Sequence, residues 1–88
     1  MGQIKNIELL TAMRIVLKEL RAKTGLVQES VITDILESKG VTINLARVET
    51  GTGNISPSTL FLLCEYYKIS LSEFFKRVEN KNSLLKIK

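Results

Sequence analysis

The chain of 88 residues has one cysteine and no histidine. A single cysteine excludes an internal disulfide, so nothing points to an oxidising compartment. Without histidine, neither a Cys–His catalytic pair nor a histidine metal site can be built. No apolar run approaches the roughly 20 residues that a membrane span requires. The opening Met-Gly-Gln-Ile-Lys-Asn-Ile-Glu lacks the apolar core of a signal peptide, which makes the cytoplasm the expected compartment. A strong charge field is missing as well. The net charge is +4, but residues 76–88 carry all of it, through Lys76, Arg77, Lys81, Lys86 and Lys88 against Glu79. Residues 1–75 hold eight basic and eight acidic side chains and balance to zero. Any affinity of the globular part for a polyanion must come from where its cations sit.

What is present suits one small soluble domain, at 44% hydrophobic and 25% charged residues. Helical spacing dominates and no strand alternation appears. Leu9, Met13, Val16, Leu17 and Leu20 define helix 1 from about Asn6 to Thr24, with Asn6 as cap and Gly25 as a left-handed stop. Val31, Ile32, Ile35 and Leu36 define helix 2 from Gln28 to Gly40, weakly capped because Val27 stands where Ser or Thr would serve. Thr42 is the expected cap of a short helix 3, anchored by Leu45 and Val48 and closed by a left-handed Gly51. Thr42, Ile43, Asn44 and Arg47 form its other face. Ser56-Pro57 opens helix 4, with Leu60, Leu63, Cys64 and Tyr67 inward. Ser70-Leu71-Ser72-Glu73 is a capping box opening helix 5, which should reach about Val78. The expected fold is all-α, a compact five-helix domain over residues 1–80 with a basic tail over 81–88.

No catalytic constellation emerges, and no cofactor, metal or small-molecule ligand is expected. Cys64 lies in an apolar stripe and reads as a core residue. Gly51 and Gly53 follow a helix, not a strand, so they read as loop geometry. Asn54-Ile55-Ser56 fits a glycosylation sequon in form only, since Pro57 follows and no export signal is present. Phe61, Leu62, Tyr66 and Phe75 exceed what one core face needs, which points to a second buried surface. The tail admits three readings: an arm along a nucleic-acid backbone, a swapped interaction segment, or a solvated end.

Four stretches occur in order: Leu20-Arg21-Ala22-Lys23-Thr24-Gly25-Leu26-Val27-Gln28-Glu29, Leu45-Ala46-Arg47-Val48-Glu49-Thr50-Gly51, Ile55-Ser56-Pro57-Ser58-Thr59-Leu60 and Ile69-Ser70-Leu71-Ser72-Glu73-Phe74. Together they resemble the Cro/C1-type helix-turn-helix domain of phage repressors and bacterial XRE regulators, over roughly residues 14–78. The resemblance implies a lambda-repressor-like fold and sequence-specific binding of double-stranded DNA. It implies repression from a palindromic site, as a homodimer through helices 4 and 5 at Phe61, Leu62, Tyr66 and Phe75. By the same resemblance Thr42, Ile43, Asn44 and Arg47 face base edges, and Gln28, Thr52, Gly53 and Asn54 meet phosphates. Arg21 and Glu49 match a structural salt bridge. Chemistry agrees in kind: Arg pairs bidentately with guanine, Asn with adenine, and Ile43 can cover a thymine methyl.

Three departures stand out. The segment from Gln28 to Gly51 is about three residues longer than the family spacing, which lengthens helix 2 or the turn at Glu37–Thr42. Ile32 replaces a small alanine, and the Thr52–Ile55 loop has no Lys or Arg. An uncharged loop implies weak or partner-dependent binding. The competing reading is a protein-interaction module, antitoxin-like for example, in which Arg47 and Asn44 are only a solvated helix face.

Overall fold

The computed structural model describes residues 6–51 and 53–82. Five helices follow in order: α1 Ile7–Thr24, α2 Gln28–Lys39, α3 Leu45–Thr50, α4 Pro57–Tyr66 and α5 Leu71–Lys81. Among the described residues there is no strand, and the domain is all-α. No helix among them is long and apolar enough to cross a membrane.

α1 is the spine, packing against both α3 and α5. Its buried face is Leu10, Met13, Val16, Leu17 and Leu20, spaced three and four apart so that they share one side. The opposing helices supply Val31 and Ile35, Leu45, Leu60 and Leu63, and Phe74 and Val78. Phe74 is wholly buried at the junction of α5 with this core, and removing a ring of that size from water contributes roughly 1.5–3 kcal/mol. Cys64 is buried among these residues, and its burial pushes the thiol above its ordinary range.

The ends of the helices follow local chemistry. Asn6 Oδ1 accepts from the Leu9 amide at 2.9 Å, and Gly25 closes α1 at φ 73. Gly40 closes α2 at φ 69, a left-handed conformation that disfavours any residue with a Cβ. Ser56 Oγ accepts from Thr59 N with Pro57 at the first helical position. Ser70 Oγ accepts from Glu73 N at 3.1 Å, while the Glu73 carboxylate turns along the helix to Arg77 Nε at 3.2 Å. α5 runs past the expected Val78, because Lys81 Nζ reaches Glu19 Oε2 at 2.6 Å and ties its last turn to α1. Lys81 therefore belongs to the folded domain, and the rest of the basic tail from Ser83 lies outside the described residues.

Two expectations about helix 3 are corrected. The helix starts at Leu45, with Asn44, not Thr42, as its cap: Asn44 Oδ1 accepts from Arg47 N at 3.1 Å. Gly51 is extended, at φ −81 and ψ 169, and does not form a left-handed stop. A different constraint holds glycine there. A Cβ on Gly51 would lie 2.6 Å from the Arg47 carbonyl oxygen, the acceptor of Gly51's own amide. Five non-helical residues, Gly40 to Asn44, separate the twelve-residue α2 from α3.

α2 starts without a side-chain cap, since Val27 is 63% exposed and offers no oxygen. Val27→Ser should raise stability by about 1 kcal/mol, because a hydroxyl there satisfies an orphan amide at little loss of packing. An unchanged or lowered urea midpoint would contradict this account of the helix start.

Candidate functional site

The site is built around a carboxylate that solvent does not reach. Glu49, on the last turn of α3, has a side-chain exposure of 0%. Arg21 meets it with two parallel bonds, Nε to Oε2 at 2.7 Å and Nη2 to Oε1 at 2.9 Å. This fork-to-fork geometry is the strongest arrangement for such a pair. Gln28 Nε2 donates to the same Oε1 at 2.8 Å. The hydrogen bond to Glu49 is the chief reason that the Arg21 pKa is raised. Arg21 Nη1 also donates to the Leu26 carbonyl, at 3.0 Å. One carboxylate thus joins the end of α1, the start of α2 and the end of α3.

The Tyr67 phenol adjoins this cluster. Burial, then the nearby Glu49 charge, pushes its ionisation far above the ordinary range. Its hydroxyl is buried without a hydrogen-bond partner among the described residues. The neighbouring Tyr66, whose ring meets that of Tyr67 edge-on at 5.4 Å between centroids, donates to Asp34 Oδ2 at 2.6 Å, and that bond, with burial, raises its pKa to about 12.

A second cation fixes α3. Arg14 Nη1 donates to the carbonyls of Thr50 at 3.0 Å and Gly51 at 3.1 Å, taking up acceptors that a helix end leaves open. Positive charge at this terminus is also favoured by the helix dipole. This residue escaped the sequence reading. A signal was available, since Arg14 and Arg21 are seven residues apart and lie on one face of α1 two turns from each other.

The outward surface of α3 and its flanks encloses an open cavity of about 210 Å³, whose walls include Thr42, Asn44, Arg47, Gly53, Asn54, Ser56 and Thr59. Thr42, Asn44 and Arg47 are exposed. Ile43 differs from the expectation of an outward side chain: it is 6% exposed and packs with the core, touching the cavity only at its wall. The reason is local. Residues 41–44 are not helical, so Ile43 does not share a helix face with Thr42 and Asn44, and it turns to the core while they stay exposed. What little of Ile43 stays uncovered forms part of the cavity wall between Thr42 and Asn44.

The other expected residues divide. Gly53 and Asn54 line the cavity with Arg47, while Thr52 lies outside the described residues. Gln28 is half-buried, and its bond to Glu49 uses one of its two amide protons. Among the apolar four, Phe61 and Phe75 are exposed at 53% and 38%. Leu62 and Tyr66 instead face α2, lining a cleft with Ile35 and Lys39. Phe75 faces a separate apolar groove of about 300 Å³ together with Leu9, Met13, Ile55, Pro57 and Leu71. Asn54 and Ile55 form a wall common to this groove and the Arg47 cavity.

Arg21→Met should cost about 3–5 kcal/mol, because it strands a buried carboxylate. Measured by urea unfolding, the loss should be largely restored in Arg21→Met/Glu49→Leu. A single-variant cost no larger than the ~1 kcal/mol of an exposed ion pair would refute the cluster's structural role. Comparisons with protein-family models, with curated proteins and with solved structures find no match for the chain.

Proposed function

We propose that this protein is a small sequence-specific DNA-binding regulator of the Cro/C1 helix-turn-helix type. In this reading α2 crosses the DNA backbone and α3 enters the major groove. The observation that carries it is the convergence of Thr42, Asn44 and Arg47 with Gly53 and Asn54 on one open cavity. Behind that surface α3 is clamped by Glu49 and by Arg14. A six-residue helix is too short to hold itself in water, so a rigid mount is what a reading element of this length needs. The protein works as a repressor in the cytoplasm and performs no catalysis.

Dimerisation completes the reading. The exposed Phe61 and Phe75, with Leu71 beside the latter in the apolar groove, supply the contact between two copies. A twofold pair would set the two α3 helices about one DNA turn apart, roughly 34 Å. Leu62 and Tyr66 support the contact only from behind, because they pack toward α2.

A second reading has its own support. Residues 1–75 are neutral, and the loop after α3 carries no Lys or Arg. A domain with exposed Phe61, Leu71 and Phe75, whose cations in excess lie only at the end of α5, also suits a protein-interaction module that recognises an apolar partner surface.

Selection against random duplex DNA at two salt concentrations separates the readings. The regulator should enrich a palindrome, and Arg47→Ala should bind it about tenfold more weakly, within the 1–3 kcal/mol typical of one good contact. Absence of enrichment at low salt from a folded protein would leave the interaction module. In sedimentation equilibrium the protein should weigh as a dimer and Phe75→Glu as a monomer. A monomer mass that does not change with wild-type concentration would end the dimer proposal.

A further inference from the structure

We infer that Val41 reads a thymine, by packing its isopropyl group against the C5-methyl in the major groove. The inference rests on the DNA-binding reading and adds to it one residue and one base. Val41 lines the open cavity together with Thr42, Asn44 and Arg47. The other apolar side chains of that wall are taken up by the protein itself. Ile43 is buried, and Val48 and Ile55 pack against the core. Val41 is 43% exposed, so its apolar surface stays at the cavity for a ligand.

The chain on both sides sets where Val41 stands. Gly40 ends α2 at φ 69, with its amide donating to the Leu36 carbonyl at 2.8 Å. Two residues beyond Val41, Ile43 is anchored in the core, and Asn44 then caps α3. Val41 is therefore held between a hydrogen-bonded helix end and a buried side chain. A recognition helix in the major groove meets base edges with its N-terminal residues. The lead-in from Val41 to Asn44 stands at that end of α3.

The chemistry of the groove selects the base. Of the four bases, only thymine presents a methyl group there, and the other edges offer donors and acceptors. An isopropyl group pressed on a polar edge strips its water and returns no hydrogen bond, which is unfavourable. A phosphate loses in the same way, since valine brings it neither charge nor proton. The thymine methyl gains from being covered. Val41 thus favours thymine at one position and disfavours the other three bases. Thr42 and Asn44, exposed on the same lead-in, bring a hydroxyl and an amide to the polar edges.

The test uses the duplex enriched by selection, with each thymine replaced in turn, in both half-sites, by uracil, which lacks the C5-methyl. Wild type and Val41→Ala are compared on this set, and thermal melting checks the fold. Val41 contributes little to the core, so Val41→Ala should melt close to wild type. Uracil at one thymine position should weaken wild-type binding about tenfold, for two methyl contacts per dimer. Val41→Ala should lose a similar amount on the unmodified duplex and nothing more with that uracil. A selected site without thymine, or wild-type binding indifferent to uracil at every position, would overturn the assignment. So would losses that add in Val41→Ala, because they would give the methyl to another side chain and leave Val41 against a sugar. Failure of the folded protein to enrich any duplex at low salt is a separate outcome: it refutes the DNA reading itself, and the thymine contact with it.

Discussion

The bond pair between Arg21 and Glu49 is the constraint on which the rest of the structure depends. A carboxylate with no exposed surface is tolerated only when its charge and its lone pairs are met, and here three bonds from two side chains meet them. Those bonds fix where α3 ends relative to α1 and α2. Everything on the outward side of α3 inherits its position from that choice. Arg14 repeats the device one level out, holding backbone carbonyls where Arg21 holds a side chain. α1 thus acts as a rail with two cationic brackets, and the shortest helix is mounted on both.

The surfaces that α3 leaves outside are local in character. The balanced charge of residues 1–75 means that single cations count, and Arg47 lying over Gly53 is such a case. The apolar surfaces are local too. Phe61 and Phe75 stay exposed while Leu62 and Tyr66 are drawn toward α2, Tyr66 through its bond to Asp34. One stretch of chain, Asn54 and Ile55, borders both the Arg47 cavity and the apolar groove.

Legibility in the sequence followed the range of the forces involved. The five helices, the caps at Asn6, Ser56 and Ser70, the left-handed Gly25 and the helix end at Gly40 all depend on neighbours within four residues. They were readable for that reason. The pair Arg21–Glu49 became readable only through the family resemblance, because 28 residues separate the partners. The start of α3 was misjudged because Thr42 and Asn44 are both competent caps, and burial of Ile43 decides between them. Gly51 was assigned the right residue constraint for the wrong cause, a close approach in place of a positive φ. Arg14 and Lys81 act across tertiary distances, on Thr50 and Glu19; the spacing of Arg14 from Arg21 hints at the first, and no local pattern announces the second. Around α3, the grouping of Thr42, Asn44, Arg47, Gly53 and Asn54 about one cavity was legible. The facing directions of Ile43, Leu62 and Tyr66 were not, since those depend on packing between helices.

The mounting of α3 also limits how the molecule can be taken apart. The stretch from Gln28 to Gly51 looks like a portable cassette, two helices and a connection that might be grafted onto another scaffold. It is not self-sufficient. Glu49 and Gln28 would travel with the graft, while both arginines that hold its far end, Arg14 and Arg21, would stay behind on α1. A recipient helix must present two guanidinium groups seven residues apart on one face, or the transplanted carboxylate arrives as an unneutralised charge in a new core. The minimal transferable unit therefore begins no later than Arg14.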